Sequence, residues 1–150
     1  MNDENEKKRI ESEAEIKTYL DRLKYALKSK STTINFQNER SVDKQKNIKY
    51  TNRYTISKLF PDEDELKALR RELSTLNVDE YIETVKDTRF LKRSEMRVFG
   101  RKYSNKDVYI KIRVELINKG YASGNDYIMV MSFHFSKWSF KKSNFPYKRC

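Results

Sequence analysis

Residues 108–116 read VYIKIRVEL, and this stretch decides the fold because apolar and polar side chains alternate along its whole length. In an extended chain, successive side chains point to opposite faces, so the two sets separate. The apolar set is Val108, Ile110, Ile112, Val114 and Leu116, and the other set is Tyr109, Lys111, Arg113 and Glu115. A period of two predicts a β-strand with one buried face.

Two further strands are predicted on either side of this stretch. Residues 96–99, MRVF, precede it, and the turn-forming residues 104–107, SNKD, lie between the two. Residues 127–135, YIMVMSFHF, follow it and read as a buried strand. Because the connections are short, we expect an antiparallel sheet over about residues 95–135.

Helical periods occupy the first half of the chain. Apolar residues three or four positions apart predict a first helix over about residues 6–29. Its buried stripe is Ile16, Leu20, Leu23 and Leu27, widened by Tyr19 and Ala26. Pro61 and the acidic residues 62–65 suit the start of a second helical segment, predicted over about residues 62–86. Its stripe is Leu66, Leu69, Leu73 and Leu76, after which Asn77 is predicted to cap a short third helix containing Val78, Tyr81, Ile82 and Val85.

The remaining segments complete the predicted architecture. Residues 32–36 predict a short edge strand, and residues 37–53 form a basic loop without periodicity. We expect residues 1–150 to form one domain of the α+β class. In this domain, N-terminal helices pack on one face of a C-terminal antiparallel β-meander, which a basic, aromatic tail over residues 136–150 follows.

Composition excludes several kinds of protein. The chain has 33 Lys and Arg against 22 Asp and Glu, and its aromatic content of 13% argues against disorder. No apolar run is long enough to span a membrane and no apolar leader opens the chain, so we expect a cytoplasmic protein without a membrane partner. One histidine, one cysteine and three scattered glycines exclude a disulfide framework, a multi-histidine metal site and a glycine-rich nucleotide loop. We therefore expect neither a metal nor a cofactor.

The formal net charge of +11 is unevenly distributed. Residues 59–87 carry nine acidic and four basic side chains, whereas residues 16–58 carry three acidic and eleven basic ones. Residues 127–150 carry five basic side chains and no acidic one. Basic segments of this kind predict a polyanionic partner, in particular nucleic acid. The alternatives are a basic protein without such a partner and a fold in which salt bridges use the charge.

Strand parity predicts a polar face on the sheet. If Val108, Ile110 and Ile112 face the helices, then Tyr109, Lys111 and Arg113 share the opposite, open face. On the third strand Met129, Met131 and Phe133 are expected to be buried, which places Ser132 and His134 on the open face. A shift of one residue in the register would reverse these assignments.

The tail SKWSFKKSNFPYKRC interleaves basic and aromatic side chains. Aromatic rings stack on unpaired bases while lysine and arginine contact phosphates, so the tail is a candidate RNA contact. The alternative is that the aromatic rings only fix the tail to the core. The candidate RNA-binding residues in the tail are Lys137, Trp138, Lys141, Lys142 and Lys148.

Several short blocks resemble the MqsR family, the motility quorum-sensing regulator toxins of bacterial toxin–antitoxin modules, and in particular the versions found in Firmicutes. The leucines of the first helix fit this family as well. The blocks are Leu76-x-x-x-x-Tyr81, Val98-Phe99-Gly100, Val108-Tyr109-Ile110-Lys111-Ile112, Ser132-Phe133-His134 and Pro146-Tyr147-Lys148.

This resemblance implies a RelE-like fold and a metal-independent endoribonuclease that cleaves mRNA and is neutralised by a cognate antitoxin. Tyr109 falls on the family's catalytic tyrosine, and His134 falls where some members carry a catalytic lysine. Glu83 stands where the family has another lysine, and Arg97 lies nearest to its glutamine.

Metal-free cleavage of RNA needs a base for the 2′-hydroxyl proton, an acid for the leaving 5′-oxygen, and cations for the charged intermediate. A histidine can serve as the acid or the base near neutral pH, which makes His134 the first candidate. Tyr109 is predicted to orient the phosphate or to be the second proton-transfer group. The candidate charge-stabilising residues are Arg97, Arg101, Lys111 and Arg113, and Arg101 and Arg113 are also candidate RNA-binding residues.

Two other functions remain open from the sequence. The chain is alternatively a non-catalytic nucleic-acid-binding or inhibitor protein of a mobile element or phage that uses the same basic face. It is also consistent with a protein–protein module whose basic face binds an acidic partner.

Overall fold

One mixed sheet organises the protein, whose structure is a computed structural model that describes residues 5–38, 48–90, 92–115 and 127–148. The sheet has six strands in the order β1-β3-β4-β5-β6-β2. Neighbouring strands are antiparallel except β6 and β2, which are parallel. The strands are β1 (Glu6–Arg9), β2 (Thr33–Phe36), β3 (Tyr81–Asp87), β4 (Met96–Tyr103), β5 (Lys106–Glu115) and β6 (Tyr127–Phe135).

Three helices and the sheet share one hydrophobic core, so the predicted α+β class is confirmed. The helices are α1 (Glu13–Lys28), α2 (Asn52–Leu59) and α3 (Glu65–Leu73). The predicted stripe of α1 is buried along its length. It packs with Phe99, Ile110 and Phe133 of the three central strands. Among the described residues, no helix is both long enough and apolar enough to cross a membrane.

The first helix is shorter than predicted, because residues 6–9 form a strand. Ser12 caps α1: its hydroxyl accepts a hydrogen bond from the Glu15 amide at 3.1 Å, and the Glu15 carboxylate accepts one from the Ser12 amide at 2.9 Å. This capping box fixes the helix start at residue 13. The preceding strand β1 pairs with β3 at the edge of the sheet, through backbone groups that need no apolar pattern.

The predicted third helix is wrong. Asn77 does cap a short turn, the 3-10 helix Val78–Glu80, but residues 81–87 then form β3. A bulge lies between Tyr81 and Glu83, so Tyr81 and Val85 are both buried yet lie on opposite faces of the strand. Buried residues four positions apart therefore imitate a helical period here. In α3, Leu69 and Leu73 are buried as predicted, whereas Leu66 is exposed.

Part of the predicted loop over residues 37–53 is helical, and the rest, residues 39–47, lies outside the described residues. A 3-10 turn covers Ile48–Tyr50, and Thr51 caps α2 by accepting a hydrogen bond from the Tyr54 amide. Asn52 of this helix is buried and donates to the carbonyls of Gln37 and Met131 at 2.8 and 2.9 Å. The helix therefore lies directly against β6.

The hairpin between β4 and β5 agrees with the predicted turn, in which residues 104 and 105 are the two loop residues. Ser104 and Asn105 have φ of 49° and 69°, the left-handed conformation that two-residue hairpins require. The predicted edge strand is confirmed as β2, but its pairing with β6 is parallel. The sheet thus includes three strands beyond the predicted C-terminal meander, namely β1, β2 and β3.

A register shift in β6 changes which of its residues are buried. Phe133 is buried as expected, but Met129 and Met131 are only partly buried, and Ile128 and Val130 occupy the core positions instead. The pairing of β5 and β6 shifts by one residue between the pairs Lys111–Ser132 and Ile112–Val130. This bulge exchanges the two faces of β6 for the residues that precede it in the chain. The half after the bulge, which contains His134, keeps the predicted parity.

Candidate nucleic-acid interface

The open face of the sheet, on the side away from the helices, brings together two of the candidate catalytic residues. Tyr109 of β5 and His134 of β6 are directly opposite each other in the antiparallel register. Their rings stack, with centroids 5.5 Å apart and an angle of 23° between the ring planes. Both side chains are partly exposed, so a ligand on this face reaches the phenol and the imidazole together.

Side chains of α2 fix the backbone on both sides of His134. The Phe133 amide donates to the Asn52 side-chain oxygen at 2.9 Å, and the Phe135 amide donates to the Thr55 hydroxyl at 2.8 Å. Both Asn52 and Thr55 are buried. β2 pairs only with the first half of β6, so these two side chains supply the acceptors that an edge strand would provide for the Phe133 and Phe135 amides. No motif in the sequence marked α2 as a support for His134, although Thr51 is a typical helix cap.

The imidazole of His134 has a defined hydrogen bond. Its Nδ1 lies 3.0 Å from the Phe135 carbonyl oxygen. A carbonyl oxygen only accepts hydrogen bonds, so Nδ1 carries the hydrogen in this contact. In the neutral ring the lone pair then resides on Nε2, the nitrogen suited to take a proton from a substrate.

Lys111 lies on the same face as Tyr109, two residues further along β5. Its side chain is 12% exposed, and its ammonium group forms an ion pair with Glu6 of β1 at 3.2 Å. The two strands that carry this pair are separated by β3 and β4, so the pair reaches across the open face. Glu6 was not predicted as part of the site, because nothing near it in the sequence signals pairing with residue 111.

Arg113 lies on the open face beyond Lys111. Its side chain is 12% exposed, and its Nε is 3.5 Å from a Glu115 carboxylate oxygen. At that distance the two groups attract each other, but the geometry provides no hydrogen bond, and Nε has none among the described residues. Arg113 is therefore a largely buried arginine whose Nε lacks a hydrogen-bond acceptor, a position that a bound anion would stabilise.

Arg97 does not join the pair formed by Tyr109 and His134, contrary to its predicted catalytic position. It pairs with Ile112 in the register and therefore points to the helix side of the sheet. Its guanidinium donates to the Glu11 carboxylate at 2.7 and 3.2 Å and lies over the Tyr19 ring at 4.5 Å. Burial lowers the pKa of Arg97, but the hydrogen bond and the charge of Glu11 outweigh it and raise that pKa.

Arg101 also points to the helix side, in contrast to its predicted contact with RNA. It donates to the Glu80 carboxylate at 2.7 and 2.8 Å and to the backbone and hydroxyl oxygens of Thr75 at 2.8 and 2.7 Å. Burial lowers the pKa of Arg101, yet the interactions with Glu80 raise it overall. The charge of this residue fixes the segment after α3 to β4.

The tail crosses the open face next to Tyr109. An added Cβ on Gly100 would lie 2.6 Å from a ring carbon of Phe140 and 3.0 Å from a ring carbon of Phe145. Gly100 is the register partner of Tyr109, so these two rings occupy the position beside the tyrosine. They also contact each other edge to face, with centroids 5.7 Å apart.

The end of the described tail is fixed at the far edge of β3. The Tyr147 ring stacks on Tyr81 at 6.1 Å and 15°, and its hydroxyl donates to the Glu11 carbonyl. The ammonium of Lys148 lies 5.1 Å from the Phe145 ring centroid, and Trp138 is 78% exposed. The alternative in which aromatic residues dock the tail thus holds for Phe140, Phe145 and Tyr147. The predicted RNA contacts Lys137, Trp138, Lys141, Lys142 and Lys148 are all exposed.

Replacing Gly100 with leucine is expected to displace the tail from the sheet. The new side chain competes with Phe140 and Phe145 for one space, so the docked state loses their contacts. We expect trypsin to cut after Lys141 and Lys142 about tenfold faster than in the wild type, since proteolysis follows the population of the open state. Tyr25→Leu, at a side chain that is 74% exposed on α1, is the matched control. Equal cleavage of G100L and wild type would contradict the docking role of Gly100.

The part of the chain that the structure describes contains no group of three or more His, Cys, Asp or Glu arranged to hold a metal ion. Compared with known proteins, the chain matches no family model, no curated protein and no solved structure. The resemblance to the MqsR family therefore remains a prediction from the residues that carry it.

Proposed function

We propose that the protein is a metal-independent endoribonuclease that cleaves mRNA and acts as the toxin of a toxin–antitoxin module. Tyr109 and His134 are its proposed catalytic residues. The observation that carries the nuclease proposal is the stacked cross-strand pair of these two rings on the open face. The short sequence blocks that resemble MqsR toxins support the assignment to a toxin. The same resemblance supports a cognate antitoxin as the protein partner.

The reaction transfers two protons around one phosphate. His134 Nε2 takes the proton of the 2′-hydroxyl, and the 2′-oxygen attacks the adjacent phosphorus. Tyr109 gives its phenolic proton to the 5′-oxygen as the phosphorus–oxygen bond breaks. The products are a 2′,3′-cyclic phosphate on one fragment and a free 5′-hydroxyl on the other.

Cations on the open face stabilise the charge that builds up on the phosphate. Lys111 is the nearest on the same strand, and an approaching phosphate competes with Glu6 for its ammonium group. The exposed lysines of the tail hold the backbone of the RNA on either side. The sequence contributes five basic and no acidic residues in this last segment, residues 127–150.

Non-catalytic binding of nucleic acid is the second candidate function. It is favoured by the ion pairs of Arg97 and Arg101, which leave fewer cations beside Tyr109 and His134 than a dedicated nuclease would use. On this alternative the stacked rings are a platform for bases, and no bond is broken.

Incubating the purified chain with single-stranded RNA in EDTA separates the two candidates. We expect fragments with cyclic phosphate and 5′-hydroxyl ends, and no cleavage of the same RNA with a 2′-deoxy nucleotide at the cut site. The deoxy substrate lacks the attacking hydroxyl but keeps the phosphates, so it still binds. Salt-sensitive binding without cleavage of either RNA would favour the non-catalytic function, and the absence of both would contradict both candidates.

A further inference from the structure

A small pocket lies on the open face beyond Lys111. Phe90, Arg93 and Ser94, from the connection between β3 and β4, are among the residues that line a pocket of about 130 Å³. Its lining combines apolar and cationic side chains, namely Phe90, Arg93, Met96, Lys111, Arg113 and Met131. No sequence motif pointed to it, because the lining comes from distant parts of the chain.

Phe90 and Arg93 form a flat platform at the rim of the pocket. The Arg93 guanidinium lies 3.9 Å from the centroid of the Phe90 ring, and Arg89 lies 5.6 Å from it. Phe90 is 41% exposed, although it is a large apolar residue. Aromatic rings and guanidinium planes are the groups on which proteins stack unpaired bases of RNA.

The charge of the pocket suits an anionic ligand that also has an apolar surface. Two of its cations are paired with acids of the same pocket, Lys111 with Glu6 at 3.2 Å and Arg89 with Asp87 at 3.0 Å. Within the described part of the chain, Arg113 has only its 3.5 Å ion pair with Glu115, which includes no hydrogen bond, and Arg93 lies over the Phe90 ring. Arg113 is the cation that lacks a hydrogen bond at Nε. The two methionines on the floor of the pocket offer polarizable apolar contact.

The pocket lies one to two nucleotides from the stacked pair. Two of its lining residues share the face of β5 that carries Tyr109: Lys111, about 7 Å along the strand, and Arg113, about 13 Å along it. Successive nucleotides of an extended single strand repeat at a comparable distance. A strand of RNA that follows β5 therefore brings a phosphate to Tyr109 and His134 and a nucleotide one or two positions away to the pocket.

We propose that this pocket is a nucleotide subsite, in which a base of single-stranded RNA stacks on Phe90 and Arg93 while its phosphate contacts Arg113. The subsite extends the proposed nuclease function, because it would select a nucleotide one or two positions from the cleaved bond. The apolar lining and the stacking platform distinguish this pocket from a site that binds only a phosphate group. Base binding there does not itself require cleavage, so the two proposals can be tested separately.

Abasic scanning tests the subsite. A short single-stranded RNA oligonucleotide and the same oligonucleotide with one base removed at each position in turn are titrated against wild type and Phe90→Ala by fluorescence anisotropy. Loss of the stacking contact is expected to weaken binding of the intact RNA to F90A about tenfold. At one position, base removal weakens binding to wild type by a similar factor and has little further effect on F90A.

The matched control is Tyr25→Ala, which truncates a ring that is 74% exposed on α1, away from the sheet face. Y25A is expected to bind as wild type does. Equal losses for wild type and F90A at every abasic position would overturn the subsite, as would no binding of the oligonucleotide to wild type. If one abasic position weakens binding to wild type but not to F90A, and no RNA is cut, the nuclease proposal fails and the subsite stands. If RNA is cut, F90A is expected to raise KM with little change in kcat and to lose base preference beside the cut.

Discussion

Replacing His134 with alanine is expected to slow RNA cleavage by about two to four orders of magnitude, the usual contribution of a general base. The imidazole is held by its own Nδ1 contact with the Phe135 carbonyl and by the backbone amides that Asn52 and Thr55 fix. The variant removes the proton acceptor together with its Nδ1 contact, but it leaves the hydrogen bonds of the Phe133 and Phe135 amides to Asn52 and Thr55 in place. The measurement is the single-turnover rate on a labelled RNA in EDTA, with circular dichroism to show that the fold is intact.

Tyr109→Phe is the companion variant, because it removes only the hydroxyl and keeps the ring stacked on His134. A fall of about two orders of magnitude is expected if the phenol supplies the proton to the leaving oxygen. Tyr25→Phe is the matched control, since it makes the same change on an exposed ring of α1. Full activity of both H134A and Y109F, with binding unchanged, would exclude the proposed roles of the pair.

The central part of the fold was predictable from the sequence wherever the spacing of apolar residues repeats regularly along a whole helix or strand. The stripe of α1 is such a case and is buried as the pattern indicated. The alternation of β5 is another: Val108, Ile110 and Ile112 are buried and Val114 is partly buried, while Leu116 lies outside the described residues. β3 was missed because its bulge places two buried residues four positions apart, the spacing of a helix. β1 carries the sequence EKKR, and its backbone pairing with β3 leaves no trace in the pattern of apolar residues.

The candidate site was predictable only as far as strand parity determines it. Tyr109 and His134 share a face because β5 is regular and because His134 follows the bulge in β6. Arg97 and Arg101 were grouped with them by type and proximity in sequence. Their partners Glu11 and Glu80 lie 86 and 21 residues away, and those carboxylates draw both arginines to the helix side.

Arg97→Met is expected to lower the free energy of unfolding by about 3 to 5 kcal/mol, the range for breaking one side of a buried ion pair. The Arg97 side chain is 16% exposed and the Glu11 side chain 4% exposed, so the variant leaves the carboxylate buried without its main partner. Of the remaining partners, the Thr84 hydroxyl donates to Glu11 at 2.5 Å but carries no charge, and the Arg9 guanidinium is 3.9 Å away on a side chain that is 48% exposed. Urea denaturation, followed by tryptophan fluorescence and circular dichroism, measures the change.

The double variant Glu11→Gln with Arg97→Met separates a structural role of Arg97 from a catalytic one. Glutamine keeps an oxygen for the Thr84 hydroxyl and removes the unpaired charge, so the double variant is expected to regain much of the stability lost in R97M. Because neither side chain points to the open face, the double variant should also cleave RNA at nearly the rate of the wild type. If R97M is as stable as the wild type and has lost cleavage, Arg97 acts in catalysis after all, and its ion pair with Glu11 contributes little to the fold.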